Sequence, residues 1–451
     1  MHFLRPAPAH RAHRLATLAF LVGAILQPTA LRAGVVGTNP PALPLTADRI
    51  NALPAAEQPA WHRYLAKSRA QRAIDQAFLA TELKRAGLKE SIVPPEARGG
   101  RAMPLREKPE WYATDDARRR ATNLVTFQTP AGGWSKNFNP ADHPRAPGEG
   151  FSHDNTSRFL APGDNDTPAD LHWSYIGTFD NGATITQLRF LAKVIAAAPT
   201  GAAAATTASA AWRASFARGV GYVLNAQYPN GGFPQTWPLD GGYHDAITFN
   251  DDAFANILTL LHDLAAGRDD FAFVAADTRA LAAASAERGI ACLLLCQIIV
   301  AGRRTGWGQQ HDMLTLAPTS ARNYEMPSIS GGESAHLAIF LMSLEKPSAE
   351  IVAAVHGAAA WFEKTKLVDV AWRPAPDGSG RTLVKSPGAA PLWARYSEIG
   401  TDRPLFGDRD KSIHDDVNEI SKERRNGYSW FGTGPKLALD HYAKWAKTHP
   451  R

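Results

Sequence analysis

Apolar positions along the chain fall mostly at helical spacing. Ile185, Leu188, Leu191 and Ile195 mark one helix face, and Phe254, Ile257, Leu258, Leu261 and Leu264 mark another. Residues 337–344 and 351–361 continue the pattern. Ser330 and Glu333 have the spacing of a capping box, and Ser348 follows Pro347 as an N-cap. Residues 61–87 are helical in period and highly charged. Strand-like alternation is scarce, so the pattern predicts an all-α class with long Gly/Pro/Asp loops. A weak repeat supports stacked helical hairpins, with an irregular helical bundle as the alternative. Gln128-Thr129-Pro130-Ala131-Gly132-Gly133-Trp134 echoes Gln227-Tyr228-Pro229-Asn230-Gly231-Gly232-Phe233.

The first 33 residues read as a secretory signal. Arg5, Arg11 and Arg14 precede an apolar run over residues 15–26, and Ala30-Leu31-Arg32-Ala33 resembles a cleavage site. The run is shorter than the ~20 residues a membrane span needs. This leader carries four arginines and no acid, so its removal takes the formal charge from +6 to +2. Bulk charge therefore gives no support for a nucleic-acid partner. Residues 34–60 read as a linker, 61–110 as a small N-terminal helical extension, and 111–448 as the main domain. The cysteines, Cys292 and Cys296, share a helix face where a disulfide would be poor, which predicts two buried thiols.

Two polar clusters precede helices: Thr178-Phe179-Asp180-Asn181-Gly182 and Thr248-Phe249-Asn250-Asp251-Asp252. Their oxygen donors suit a hard cation such as Ca²⁺, but Asp and Asn are also the preferred N-caps, and spacing leaves both open. His311 suits a general base or a hydrogen-bonded structural histidine. Arg322 suits a substrate carboxylate or an ion pair with Glu325 or Glu333. The Arg and aromatic mixtures at 391–410 and 423–432 suit an acidic sugar, or surface loops pinned by ion pairs such as Arg403 with Asp408.

Taken in order, these segments resemble polysaccharide lyase family 10, the pectate lyases built on an (α/α)3 toroid. The resemblance runs through residues 129–137, 179–184, 187–193, 227–235, 247–253, 310–312, 316–318, Ala321, Arg322, Tyr324, Glu325, 327–333, 391–395, 408–410 and 424–428. Departures are an Ala-rich insertion at 204–211, Gly308 where the family favours cysteine, Ser397 after Tyr396, and the end after Gly434.

The resemblance implies a secreted or periplasmic, monomeric enzyme. It would cleave polygalacturonate by Ca²⁺-assisted anti β-elimination to 4,5-unsaturated products. It implies Arg322 as base and Asp180, Asn181, Asp251 and Asp252 as calcium ligands. Lys136, Arg395, Arg409, His311 and Tyr324 would bind substrate. Burial beside Ca²⁺ is expected to lower the pKa of Arg322. The competing readings are an inverting glycoside hydrolase using Asp252 and Glu333, and a non-catalytic binder of acidic polysaccharide.

Overall fold

The computed structural model describes residues 34–94, 103–141, 143–153, 163–167, 176–198 and 207–450. The expected leader at 1–33 and most of the insertion at 204–211 lie outside them. Eleven α-helices occur among the described residues: α1 (Ala47–Asn51), α2 (Gln58–Ala86), α3 (Asp115–Thr126), α4 (Ile185–Ala196), α5 (Thr207–Ala226), α6 (Ala253–Ala266), α7 (Ala276–Cys296), α8 (Gly331–Met342), α9 (Ala349–Thr365), α10 (Lys422–Gly427) and α11 (Gly434–Trp445). None is long and apolar enough to cross a membrane.

α4, α6 and α8 are largely buried. α6 encloses Phe254, Ile257, Leu258, Leu260, Leu261 and Leu264, and α4 and α8 lie beside it. α3, α5, α7 and α9 succeed one another on the outer side of these three. Their caps follow local chemistry: the Thr114 hydroxyl accepts from the Ala117 N–H at the start of α3, and that of Ser348 from Ile351 at α9.

The helical pattern recurs three times, once more than the sequence shows. The Gln128 side-chain amide donates to the Gly132 and Ser215 carbonyls, and Gln227 donates to those of Gly231 and Ser285. Gln297 repeats the arrangement on Thr305 and Ala354. A two-stranded hairpin, Ile299–Val300 with Arg303–Arg304, interrupts the third copy and hides it from a motif comparison.

The all-α expectation is corrected by the loops. The described residues contain five antiparallel sheets, so the fold is mixed α and β, and a purely helical (α/α)3 toroid does not describe it. The largest sheet orders Val35–Thr38, Ser412–His414, Pro404–Gly407, Tyr396–Ser397 and Ile329–Ser330. A second joins Ile247–Thr248, Gln310–His311 and Pro318–Thr319. Most of these strands are two to four residues long, too short for alternation to be read.

Residues 34–60, expected to link, hold the edge strand Val35–Thr38 and α1. α2 packs Trp61 and Tyr64 against Tyr228, and the Tyr64 hydroxyl donates to the Ala226 carbonyl. Cys292 and Cys296 are buried free thiols, as expected.

Candidate functional site

The two polar clusters adopt the same backbone course. Asn181 and Asp251 occupy matching positions with φ of 52° and 50°, each following a Phe with φ near −101°. This left-handed course ends one short helical turn and starts α4 or α6. Neither helix has a side-chain cap at its N-terminus, so the capping alternative fails for both clusters. Their side chains turn to one another instead. The two turns pack on each other, and the Asp180 and Asp251 carboxyls, 71 positions apart in sequence, are close enough to influence each other's charge.

The pair is electrostatically unequal. Burial works to raise the Asp180 carboxyl, but the paired Lys136 ammonium outweighs it and holds Asp180 below the usual range. Burial and then the Asp180 charge push Asp251 up to about 7. Two neighbouring carboxyls competing for one proton are the environment that a hard cation relieves. Among the described residues no three His, Cys, Asp or Glu side chains converge to hold a metal. Two carboxylates therefore fit Ca²⁺ only with further oxygens, such as the Asn181 amide or a substrate carboxylate. Asn181 lines a cavity of about 240 Å³ with Lys136, Asn137 and Gln187.

Asp252 turns away from this pair. It bonds the His336 ring and lines a second cavity of about 220 Å³ with Asp251, Glu333, His336, Arg395 and Phe431. Donating to the Asp252 carboxylate raises the His336 pKa. His336 was not legible as a site residue. Its one signal is its position three residues after Glu333 on α8, which puts both on one helix face.

Glu333 and Arg395 join the cavity to the acid pair. Arg395 donates to Glu333 at 3.0 Å and to the Asn250 amide oxygen at 3.3 Å, over the Tyr428 ring. Burial would lower the Arg395 pKa, but Tyr428 and Glu333 hold it well above the usual value. The expected capping box does not form: the Ser330 hydroxyl donates to the Glu333 carboxylate, and α8 has no side-chain cap. Gln309 extends the network, donating to Asn250 at 2.6 Å and accepting from Tyr396.

Arg322 adds a positive charge within electrostatic reach of Asp180. Its guanidinium reaches the Glu325 carboxylate at 2.6 and 3.0 Å, and the same carboxylate accepts the Arg322 backbone N–H at 3.0 Å. Glu325 is 2 % exposed and also accepts the Tyr428 hydroxyl at 2.6 Å. A third of the Arg322 side chain remains open. The expected lowering of its pKa is reversed. Burial would lower it, but Glu325 outweighs burial and holds Arg322 charged. The same pair takes Glu325 down to about 2, against its own burial.

The other expected substrate residues separate into two groups. Arg409 bonds Glu423 at 3.0 Å and lies over the Tyr324 ring, which also meets the guanidinium groups of Arg322 and Arg424. Tyr324 itself is buried, with burial pushing its pKa up to about 12. It backs the arginines and presents little surface of its own. The expectation for His311 is corrected. Its ring is 0 % exposed, Nδ1 faces the Leu316 carbonyl at 2.8 Å, and Nε2 accepts from Gly308 at 2.9 Å. Burial pushes it down to about 4, and both ring nitrogens are engaged within the fold, which matches the hydrogen-bonded structural alternative.

An acid pair of which Asp180 is buried, a flanking lysine and partly open arginines stand beside two cavities, and their charges suit an acidic polymer. The pectic acid lyase family profile matches residues 128–438, which contain all these groups. No curated protein matches the sequence. Two solved structures are similar. One is a family 10 polysaccharide lyase from Cellvibrio cellulosa, 31% identical, with a TM-score of 0.60, covering 77% of this chain and 99% of its own. The other is a mutant family 10 polysaccharide lyase from Cellvibrio cellulosa in complex with trigalacturonic acid. It is 29% identical, with a TM-score of 0.61, over 77% of this chain and 98% of its own. The chain belongs to the pectic acid lyase family and is a lyase of pectate.

Proposed function

We propose that the protein cleaves polygalacturonate by anti β-elimination at the site between Asp180, Asp251 and Arg322. The observation that carries this reading is the proximity of Asp180 and Asp251 inside one network with Arg395 and the Arg322–Glu325 pair. The C5 proton of a galacturonate is α to a carboxylate and weakly acidic. Its removal puts a second negative charge on the same small group. Arg322, in its neutral form, takes that proton. The C5–H electrons form the C4–C5 double bond, the C4–O bond breaks, and the departing oxygen takes a proton from water. Glu325 keeps the guanidinium oriented throughout.

Asp180 and Asp251 would hold Ca²⁺, with Asn181 as a further oxygen donor. When bound, Ca²⁺ supplies Lewis-acid neutralisation of the substrate carboxylate. Lys136, Arg395 and Arg409 supply fixed positive charge for neighbouring carboxylates. The N-termini of α4, α6 and α8 meet at this site and add favourable dipoles for anions. Export through the leader at 1–33 belongs to the same reading. It fits a polymer substrate too large for import.

Arg322→Ala tests the base. Turnover is expected to be lost while polygalacturonate is still retained in an affinity gel. A rate within about tenfold of wild type, a loss of at most ~1.4 kcal/mol in transition-state stabilisation, would remove Arg322 from that role.

A further inference from the structure

The family match begins at residue 128, yet an N-terminal segment far outside it is built into the site. Strand Val35–Thr38 pairs with Ser412–His414, and Asn39 follows directly. The Asn39 backbone N–H donates to the Lys411 carbonyl at 2.8 Å. Its side-chain Nδ2 faces three backbone carbonyl oxygens: Arg322 at 3.0 Å, Asn323 at 2.9 Å and Glu325 at 3.1 Å. Asn39 is 1 % exposed, so no bulk water replaces it. The Ser320 hydroxyl donates to the Pro40 carbonyl and ties the same segment to the residue just before the turn.

The turn is otherwise closed by Ala321 N–H to the Glu325 carbonyl at 3.0 Å and Glu325 N–H to the Arg322 carbonyl at 2.9 Å. Three carbonyl dipoles aimed at one point repel, and a buried acceptor without a donor is costly. The Arg322 and Glu325 carbonyls also accept those backbone N–H groups, so the amide of Asn39 completes the convergence by supplying the Asn323 carbonyl with a donor. The turn it holds carries both members of the Arg322–Glu325 pair. Its backbone geometry therefore sets where the guanidinium points.

We propose that Asn39 is a positioning residue for Arg322, and that the strap at 34–40 is a working part of the catalytic site. This rests on Arg322 as the base. The aim of a reacting group matters steeply, since a misplacement of ~1 Å costs on the order of a hundredfold in rate.

The test uses the full-length protein and near-ultraviolet absorbance of unsaturated product from polygalacturonate. Asn39→Ala is expected to lower kcat, per folded molecule by circular dichroism, at least about tenfold, with KM within about twofold. Asn39→Asp is expected to lose more, because its carboxylate faces the three carbonyls. A role exerted through Arg322 is non-additive: in the slow Arg322→Lys background, Asn39→Ala is expected to cost less than about twofold further. Should Asn39→Ala fail to fold, Asn39→Ser, which keeps one donor, enters the same cycle. A kcat within about twofold of wild type in the single variant, or an undiminished tenfold loss in the Arg322→Lys background, would overturn the proposal. A wild-type rate in Arg322→Lys alone would count against Arg322 as base. The kcat of Asn39→Ala alone would then decide the strap.

Discussion

Arg322 and Glu325 form a bidentate ion pair whose acid is enclosed and whose base is one-third open. The pair orients the guanidinium and also keeps it charged, so reactivity and orientation pull in opposite directions. Because Glu325 raises the Arg322 pKa, the neutral fraction is small at neutral pH and grows tenfold per pH unit through the alkaline range. The kcat is therefore expected to climb with pH above neutrality. Glu325→Gln removes the chief raising influence, so its kcat–pH curve is expected to move to lower pH while its maximum falls. An unmoved curve would show that Arg322 does not set the profile. The residue identities themselves were legible. Asp180, Asp251 and Arg322 stand out as polar groups beside apolar runs, and the structure brings the two acids together. Their roles were less so, because a cap and a metal ligand use the same side chains. His311 misled because burial of a lone histidine leaves no trace in local sequence.

α2 is held by a buried acid as well as by aromatic packing. Asp75 is 1 % exposed, accepts the Gln71 amide at 2.7 Å, and is pushed by burial up to about 7. Its folded pKa lies above its unfolded one, so the folded state binds the extra proton. Stability from this group falls as pH rises from about 4 and is lost fully above about 7. Asp75→Asn is expected to match wild type in thermal melting near pH 4 and exceed it near pH 8. An equal gap at both pH values would count against a protonated Asp75. The turns of the helical repeat give a second prediction. Gly231 has φ of +94°, and a Cβ there would meet the Arg288 carbonyl oxygen at 2.1 Å. Gly231→Ala is expected to cost more than the ~1–2 kcal/mol of the left-handed backbone alone, measured by urea unfolding. A smaller loss would show that the turn yields easily. Helices with long apolar faces, such as α4 and α6, were readable from periodicity. Sheets made of two-residue strands were not, because their pairing is set by distant partners. The same short hairpin that belongs to one sheet, Ile299–Val300 with Arg303–Arg304, masked the third repeat.

Across the whole molecule, the helices and the sheets divide the work. The N-termini of α4, α6 and α8 present Asp180, Asp251 and Glu333, while the sheet strands and their loops carry Arg322, Arg395 and Arg409, and Arg395 bonds Glu333 directly. Neither half alone assembles the network, which explains why a helical reading of the chain found the acids but not their setting. The central claim is elimination at this junction, and near-ultraviolet absorbance of polygalacturonate during incubation with the full-length protein tests it most directly. A rising absorbance from the conjugated double bond, abolished by EDTA and restored by added Ca²⁺, is the predicted result. New reducing ends without that absorbance, or an undiminished rise in chelator, would contradict it.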